Sequence, residues 1–298
     1  MRSSHPPTLL RTAERTIREE RLFGEGDCVL VAVSGGPDSM ALLHVLARLA
    51  PSFGVRLAAH GVDHGLRPEA SAELALARAL AKDLGIAFDT TRINLSPGSN
   101  LMARAREARH DALSAALDKF VRGEQAEPSQ ARLATAHHAD DRAETLLMRL
   151  LRGTGPAGLA VLPARAGRLV RPFIRARRQT ILAHLDRHHI ASASDPTNRD
   201  PRFLRARVRS ELLPRMADLS PRIVDHLCAL ADDMARAAEL KIERVPPVAF
   251  GERLGRAQRA SLARALETRN PRARVLLPGG KTAFVDLCSG KIVLKKGQ

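Results

Sequence analysis

Residues 29–46 read VLVAVSGGPDSMALLHVL. A β-rich apolar run stops at Ser34, crosses Gly35, Gly36, Pro37 and Asp38, and restarts with helical spacing. A strand that ends in a glycine turn and passes straight into a helix confines a chain to βα units, and repeated βα units make a parallel sheet covered by helices. The first half repeats the unit. VRLAAHGV (55–62), IAFDTTRI (86–93) and RLATAHH (132–138) read as strands two to four. Helical spacing runs from Asp38 to about Ala50, from Glu69 to Leu84, from Asn100 to Phe120 and from about Asp140 to Leu151. The expected fold is α/β, a doubly wound, mostly parallel sheet with right-handed crossovers.

A loop rich in Gly, Pro and Ala follows Arg152. Two basic helical segments come next, Ala176 to His189 and about Phe203 to Met216, separated by the irregular SDPTNRDPRF. Helical spacing resumes at Ile223, and ARVLLP, TAFVDL and KIVLKK are short β-like pieces. Pro214 and Pro221 bracket a junction. The expected division is an α/β domain with a basic helical extension over 1–216, and a small α+β piece over 217–298.

Charge sharpens this division. Residues 1–141 carry 17 basic and 18 acidic side chains, residues 142–222 carry 17 and 6, and residues 223–298 carry 14 and 8. The net charge of +16 therefore lies wholly behind the first half, which suits a polyanionic partner such as nucleic acid. An arginine-rich composition explains Arg in place of Lys, but not the shortage of carboxylates after residue 141. No run is long and apolar enough to cross a bilayer. The start, MRSSHPPTLLRTAERTIREE, has no apolar core of a signal peptide, so the expectation is a cytoplasmic protein without membrane contact. Cys28, Cys228 and Cys288 form no CxxC pair, which speaks against a zinc knuckle or redox dithiol.

A glycine turn between strand and helix makes an anion site, because unpaired N–H groups at the helix start and the helix dipole both face the ligand. The Walker lysine pattern GxxxxGK[ST] and GxGxxG are both absent, which disfavours γ-phosphate hydrolases and dinucleotide binders. Ser34 and Ser39 supply hydroxyls. Asp38 repels phosphate unless a cation such as Mg2+ bridges the two. A plain turn capped by Asp38 or Ser39 accounts for the same letters without a ligand.

VAVSGGPDS resembles the SGGxDS signature of the PP-loop, or N-type ATP pyrophosphatase, superfamily. HGVDHGLRPEA (60–70), NLMARAREARHDAL (100–113), TAHHADDRAETLLMRLLRGTGPAGLAVLP (135–163) and DPTNRDPRFLRARVRSELLP (195–214) resemble its tRNA(Ile)-lysidine synthase branch. The resemblance implies an adenine nucleotide alpha hydrolase-like fold. It also implies a ligase that adenylates C2 of the wobble cytidine in a CAU-anticodon tRNA(Ile). L-Lysine is then joined there, with release of AMP and pyrophosphate. ATP is the implied substrate and Mg2+ the implied ion, held by Asp38 and Asp140. A homodimer is compatible with the sequence.

By the same resemblance, Ser34, Gly35, Gly36, Pro37, Asp38, Ser39, Arg67 and Arg106 bind the nucleotide. Asp38, Asp140, His137 and Arg109 do the chemistry, and Arg202, Arg205, Arg207 and Arg209 contact tRNA. Each has a plainer reading: helix caps for Asp140 and Asp141, loop residues for His60, His64 and Arg67, and a solvated face for the arginines. His110 and Ala206 depart from the family pattern, which usually has an aromatic and an asparagine there. With no Trp or Tyr and only 8 Phe, extensive base stacking is not expected. The rival enzyme is a PP-loop tRNA thiolase, which adenylates in the same way but needs a sulfur carrier. The rival class is a non-catalytic basic RNA-binding protein.

Overall fold

Side chains of β1 (Cys28–Val33) alternate between two cores, as a strand covered on both faces requires. Val29, Val31 and Val33 enter one apolar cluster, and Cys28 and Leu30 enter the other. The computed structural model describes residues 8–63, 65, 69–93, 98, 101–193, 202–242, 274–276, 281–286 and 291–296. The sheet is completed by β2 (Arg56–Asp63), β3 (Ala87–Arg92), β4 (Ala131–Ala134) and a hairpin of β5 (Arg165–Ala166) and β6 (Leu169–Val170). Strand order is β3-β2-β1-β4-β6-β5, and every neighbour pair except β5–β6 is parallel.

The helices of this part are α1 (Leu9–Glu19), α2 (Pro37–Phe53), α3 (Ala70–Asp83), α4 (Leu101–Gly123) and α5 (Ala139–Leu151), followed by a single turn, α6 (Pro156–Leu159). Then come α7 (Arg178–Arg187), α8 (Leu204–Arg207), α9 (Leu213–Leu219) and α10 (Ile223–Ile242). Residues from α1, α2, α3 and α7 cover one face of the sheet, and Leu113, Leu117 and Val121 of α4 cover the other. The doubly wound, mostly parallel sheet expected from the sequence is what the chain forms. Met40, Leu42, Leu43, Val45 and Leu46 of α2 are all buried, each contributing roughly 1.5–3 kcal/mol, so the helix that starts at the glycine turn is firmly seated.

The basic segment expected as one helix from Phe203 to Met216 is instead α8, a π turn over Val208–Leu212 and α9. Pro214 explains the widening. A proline two residues into α9 lacks the N–H an α-helix would use and crowds the carbonyl four residues back.

Two compact units emerge from the chain: Met1–Arg152 with Val161–Ala231, and Gly153–Ala160 with Asp232–Gln298. In the second unit β7 (Arg274–Leu276), β8 (Lys281–Asp286) and β9 (Lys291–Lys296) form an antiparallel sheet in the order β7-β8-β9. Among the described residues no helix is long and apolar enough to cross a membrane.

Candidate functional site

The strand order places a crevice. From β1 the sheet grows outward through β2 and β3, then reverses to β4 on the other side of β1. In an open parallel sheet ligands bind at such a reversal, beyond the carboxyl ends of the strands. Val31 pairs with Ala134, so the segment that begins at Ser34 and the one that begins at Thr135 leave the sheet side by side.

Gly35 has φ +79°, and a Cβ there would run into the backbone of Glu73. Ser39 Oγ donates to the Gly36 carbonyl (2.9 Å) and accepts from the Ser34 N–H (3.1 Å), and the Ser34 hydroxyl lies 3.2 Å from it. The two serines thus brace the turn, and the Gly35 carbonyl accepts from Ala193 N–H at 2.9 Å. Gly35→Ala is expected to destabilise the protein by about 2 kcal/mol or more, from the left-handed backbone and the collision together. A denaturation midpoint equal to wild type would refute this account of the turn.

Three helix starts meet here, and they are not alike. At α5, His138 Nδ1 accepts from Asp141 N–H (3.3 Å), and Asp141 Oδ2 accepts from His138 N–H (3.1 Å), a reciprocal cap. At α7, Asp140 Oδ2 accepts from Arg178 N–H (2.8 Å), and Asp140 Oδ1 is 3.2 Å from Arg177 Nη2. At α2, no side chain caps the start. Gly36 is the N-cap and Pro37 follows it, so this is the helix start left open to an anion.

Asp38 stands in that first turn. Its Oδ2 accepts from Arg178 Nη1 at 3.0 Å, and its Oδ1 lies 3.7 Å from His138 Nε2. Both Asp38 Oδ1 and His138 Nε2 are buried without a hydrogen-bond partner. Burial raises the Asp38 carboxyl above its ordinary value, against the pull of His138 and Arg178. Mg2+ needs only one or two carboxylates beside phosphate and water oxygens. The orphaned Asp38 Oδ1 fits that requirement, whereas both oxygens of Asp140 are engaged with Arg177 and the start of α7. Among the described residues no cluster of three or more metal-ligating side chains occurs.

Near His137 the guanidiniums of Arg106, Arg109 and Arg171 gather, and among the described residues no carboxylate is bonded to them. Arg171 is 6% exposed, gives Nη1 to the Pro163 carbonyl (2.6 Å), and leaves its buried Nε unpartnered. Burial, Arg106 and Arg142 press it down to about 10. Arg109 is exposed as a residue, yet desolvation of its charged group, with Arg106 beside it, holds it below its ordinary value. His137, 3.1 Å from the Thr135 hydroxyl through Nδ1, is pushed down to about 4. Burial is the main cause; Asp141 pulls the other way, and Arg171, Arg109 and Arg106 add to the lowering. His137 is therefore neutral at physiological pH, and the cluster as a whole calls for an anion.

Arg205 and Arg209, read from the sequence as tRNA contacts, have their guanidinium edges committed inside the protein. Glu144, 1% exposed, accepts from Arg205 Nε (2.8 Å), Arg209 Nε (2.6 Å) and Arg209 Nη2 (3.0 Å). Arg205 Nη2 also reaches Asp141 Oδ1 at 2.7 Å. Burial lifts the Asp141 carboxyl, but His138 and Arg205 outweigh it and leave the group below its ordinary value. Among the described residues Arg207 is exposed and pairs with Glu211 of the next turn, and Arg202 is also exposed. His60, expected on the rim, is a buried residue of β2 bonded to the Thr91 hydroxyl at 2.9 Å. Arg67, His64 and the stretch 194–201 lie outside the described residues.

Sequence reasoning missed Arg171, Arg177, Arg178 and Glu144. The three arginines lie in RPFIRARRQ, which follows β6 and opens α7, and only the topology reveals that its Arg178 reaches Asp38; Glu144 lies on α5.

Comparison with known proteins agrees with this geometry. The PP-loop domain family matches residues 9–216. The chain is 42% identical over 232 residues to the tRNA(Ile)-lysidine synthase of Symbiobacterium thermophilum, an alignment covering 76% of this chain and 47% of that protein. It is 39% identical over 290 residues to the tRNA(Ile)-lysidine synthase of Thermobifida fusca, covering 92% and 84%. The chain spans about half the length of the Symbiobacterium and Pseudomonas aeruginosa relatives. Among solved structures, the U34-tRNA thiolase of Methanococcus maripaludis shares the fold, with a TM-score of 0.59 at 17% identity over 80% of each chain.

Proposed function

Because the chain belongs to the PP-loop domain family, and within it to the tRNA(Ile)-lysidine synthases, we propose that it ligates L-lysine to C2 of the wobble cytidine in a CAU-anticodon tRNA(Ile) at the expense of ATP. The observation that carries this reading is the uncapped start of α2 with Arg178 bonded to Asp38 there. The backbone amides of α2 and the Arg178 guanidinium hold the pyrophosphate end of ATP as a leaving group. The cytidine C2 oxygen attacks the α-phosphate, and pyrophosphate departs. The ε-amine of lysine then attacks C2 and expels AMP. Arg106, Arg109 and Arg171 neutralise phosphate during both steps, and a closed, pre-oriented cleft keeps water from the adenylate. Mg2+, when bound at Asp38 Oδ1, supplies the cation that lets a carboxylate sit beside pyrophosphate.

His137, kept neutral, offers a hydrogen bond rather than a positive charge to the cleft. Arg202 and Arg207 lead a basic surface for the tRNA backbone, and residues 217–298 extend that contact. Substrates of this kind place the protein in the cytoplasm. The described cysteines suit a ligase better than a thiolase: Cys28 is buried, its thiol pushed up chiefly by that burial, and Cys228 is half-buried. The deciding experiment incubates the protein with ATP, labelled lysine and a CAU-anticodon tRNA(Ile) transcript. Label is expected in the tRNA, with AMP and pyrophosphate formed. No incorporation with an intact transcript would overturn the ligase reading, and sulfur transfer in its place would establish the thiolase.

A further inference from the structure

The chain has no Trp or Tyr, and aromatic surface is scarce. Phe173 and Phe23 are buried, and Phe53, Phe88 and Phe120 are partly covered. Among the described residues Phe203 is the one phenylalanine that stands out, at 58% exposed. Its backbone is ordered: Phe203 is the N-cap of α8, and its carbonyl accepts from Arg207 N–H at 3.2 Å. Two residues on, Arg205 is bonded to Asp141, which caps α5 together with His138, and His138 lies against Asp38. The exposed ring is therefore tied, through a short series of bonded groups, to the rim of the crevice. Near it in sequence, Arg202 and Arg207 are exposed, so the surroundings of the ring suit phosphates.

A solitary exposed apolar residue usually needs no explanation. Here the ring is the one exposed phenylalanine among the residues whose burial is described, its backbone caps a helix, and Arg202 and Arg207 near it in sequence are exposed. A protein partner with an apolar knob would prefer a ring with apolar neighbours. A single-stranded polyanion with flat bases matches both the ring and the charges around it.

We propose that Phe203 is a stacking platform for an unpaired nucleobase of the RNA substrate, next to the nucleotide that enters the crevice. This rests on the reading of the protein as a tRNA-modifying enzyme. Stacking holds the loop backbone against Arg202 and Arg207 and presents the target base to Asp38, so Phe203 is a positioning residue rather than a catalytic one.

The test uses the full chain and a CAU anticodon stem-loop carrying 2-aminopurine at each loop position in turn. Stacking on a ring quenches that base. Wild type is expected to quench one loop position beyond the effect of backbone binding. Phe203→Ala is expected to lose that quench and to weaken binding by about 5- to 150-fold. Phe203→Trp is expected to retain both, and Phe203→Leu to keep its melting temperature but lose the quench. Equal affinity and quenching for wild type and Phe203→Ala, with RNA still bound, overturns this inference alone. Failure of wild type to bind the stem-loop overturns the RNA reading with it. A wild-type dimer that becomes monomeric in Phe203→Ala, by sedimentation, assigns the ring to a second copy of the chain and also overturns the proposal.

Discussion

Asp38→Asn is expected to lower pyrophosphate release from ATP by about 10²- to 10³-fold, the scale expected when one group that organises developing charge is lost. The fold survives the change. Asp38 Oδ2 receives Arg178 Nη1 at 3.0 Å, and an amide oxygen can receive it as well. Burial is the largest influence on the Asp38 carboxyl and raises it. The native state thus holds the proton more tightly than the unfolded chain does. Stability associated with this group falls as pH rises from the ordinary Asp range through the raised native value. At neutral pH the ionised carboxylate is a net cost to folding, and the neutral amide removes that cost. Melting of Asp38→Asn at pH 7 is expected at or above the wild-type temperature, with the difference vanishing in acid. A variant that melts well below wild type would make Asp38 a structural residue and remove it from the proposed chemistry.

Glu144→Gln has the largest expected effect on stability. Glu144 is 1% exposed and receives both Arg205 and Arg209. Removing one side of a buried ion pair leaves uncompensated charge and costs roughly 3–5 kcal/mol. The arginine side chains here are 44% and 32% exposed and can recover some hydration. The expected loss is therefore near the lower end, about 3 kcal/mol. Equilibrium urea unfolding measures it, and a midpoint within error of wild type would show that the network contributes little. A cycle pairing Glu144→Gln with Arg209→Gln separates the direct interaction from the cost of the stranded partner.

The sheet was legible because its strands obey a strong rule. A chain buried on both faces must be apolar at successive positions, and VLVAV is, as is LAAHGV but for His60. The glycine turn was legible for a related reason: strand, Gly-Gly and helix in direct succession have few alternatives. What escaped was short or masked by composition. β5 and β6 have two residues each, too few for any periodicity to register. The helix α1 begins a stretch that mixes charges closely enough to hide its buried face of Leu9, Ala13 and Ile17. Arg171 and Arg178 were lost among many arginines, since no letter distinguishes one that faces Asp38 from one that faces water. His137 and His138 are adjacent in sequence yet differ in role, because the end of β4 turns one toward Thr135 and lets the other cap α5. Pairings such as Arg209 with Glu144, far apart along the chain, depend on where a π turn happens to leave a side chain.

The unequal helix starts at the crevice have a further consequence. His138 with Asp141 stoppers α5, and Asp140 stoppers α7, so the protein occupies two of its own three anion seats. Selectivity here works by subtraction. A ligand with several phosphates cannot spread across neighbouring helix starts. In the proposed reaction such a ligand docks by one end, over α2, and projects the rest of itself away from the stoppered pair. The carboxylates that would repel a misplaced phosphate are the ones that plug the unwanted seats. Orientation is thereby written into the empty protein before any substrate arrives.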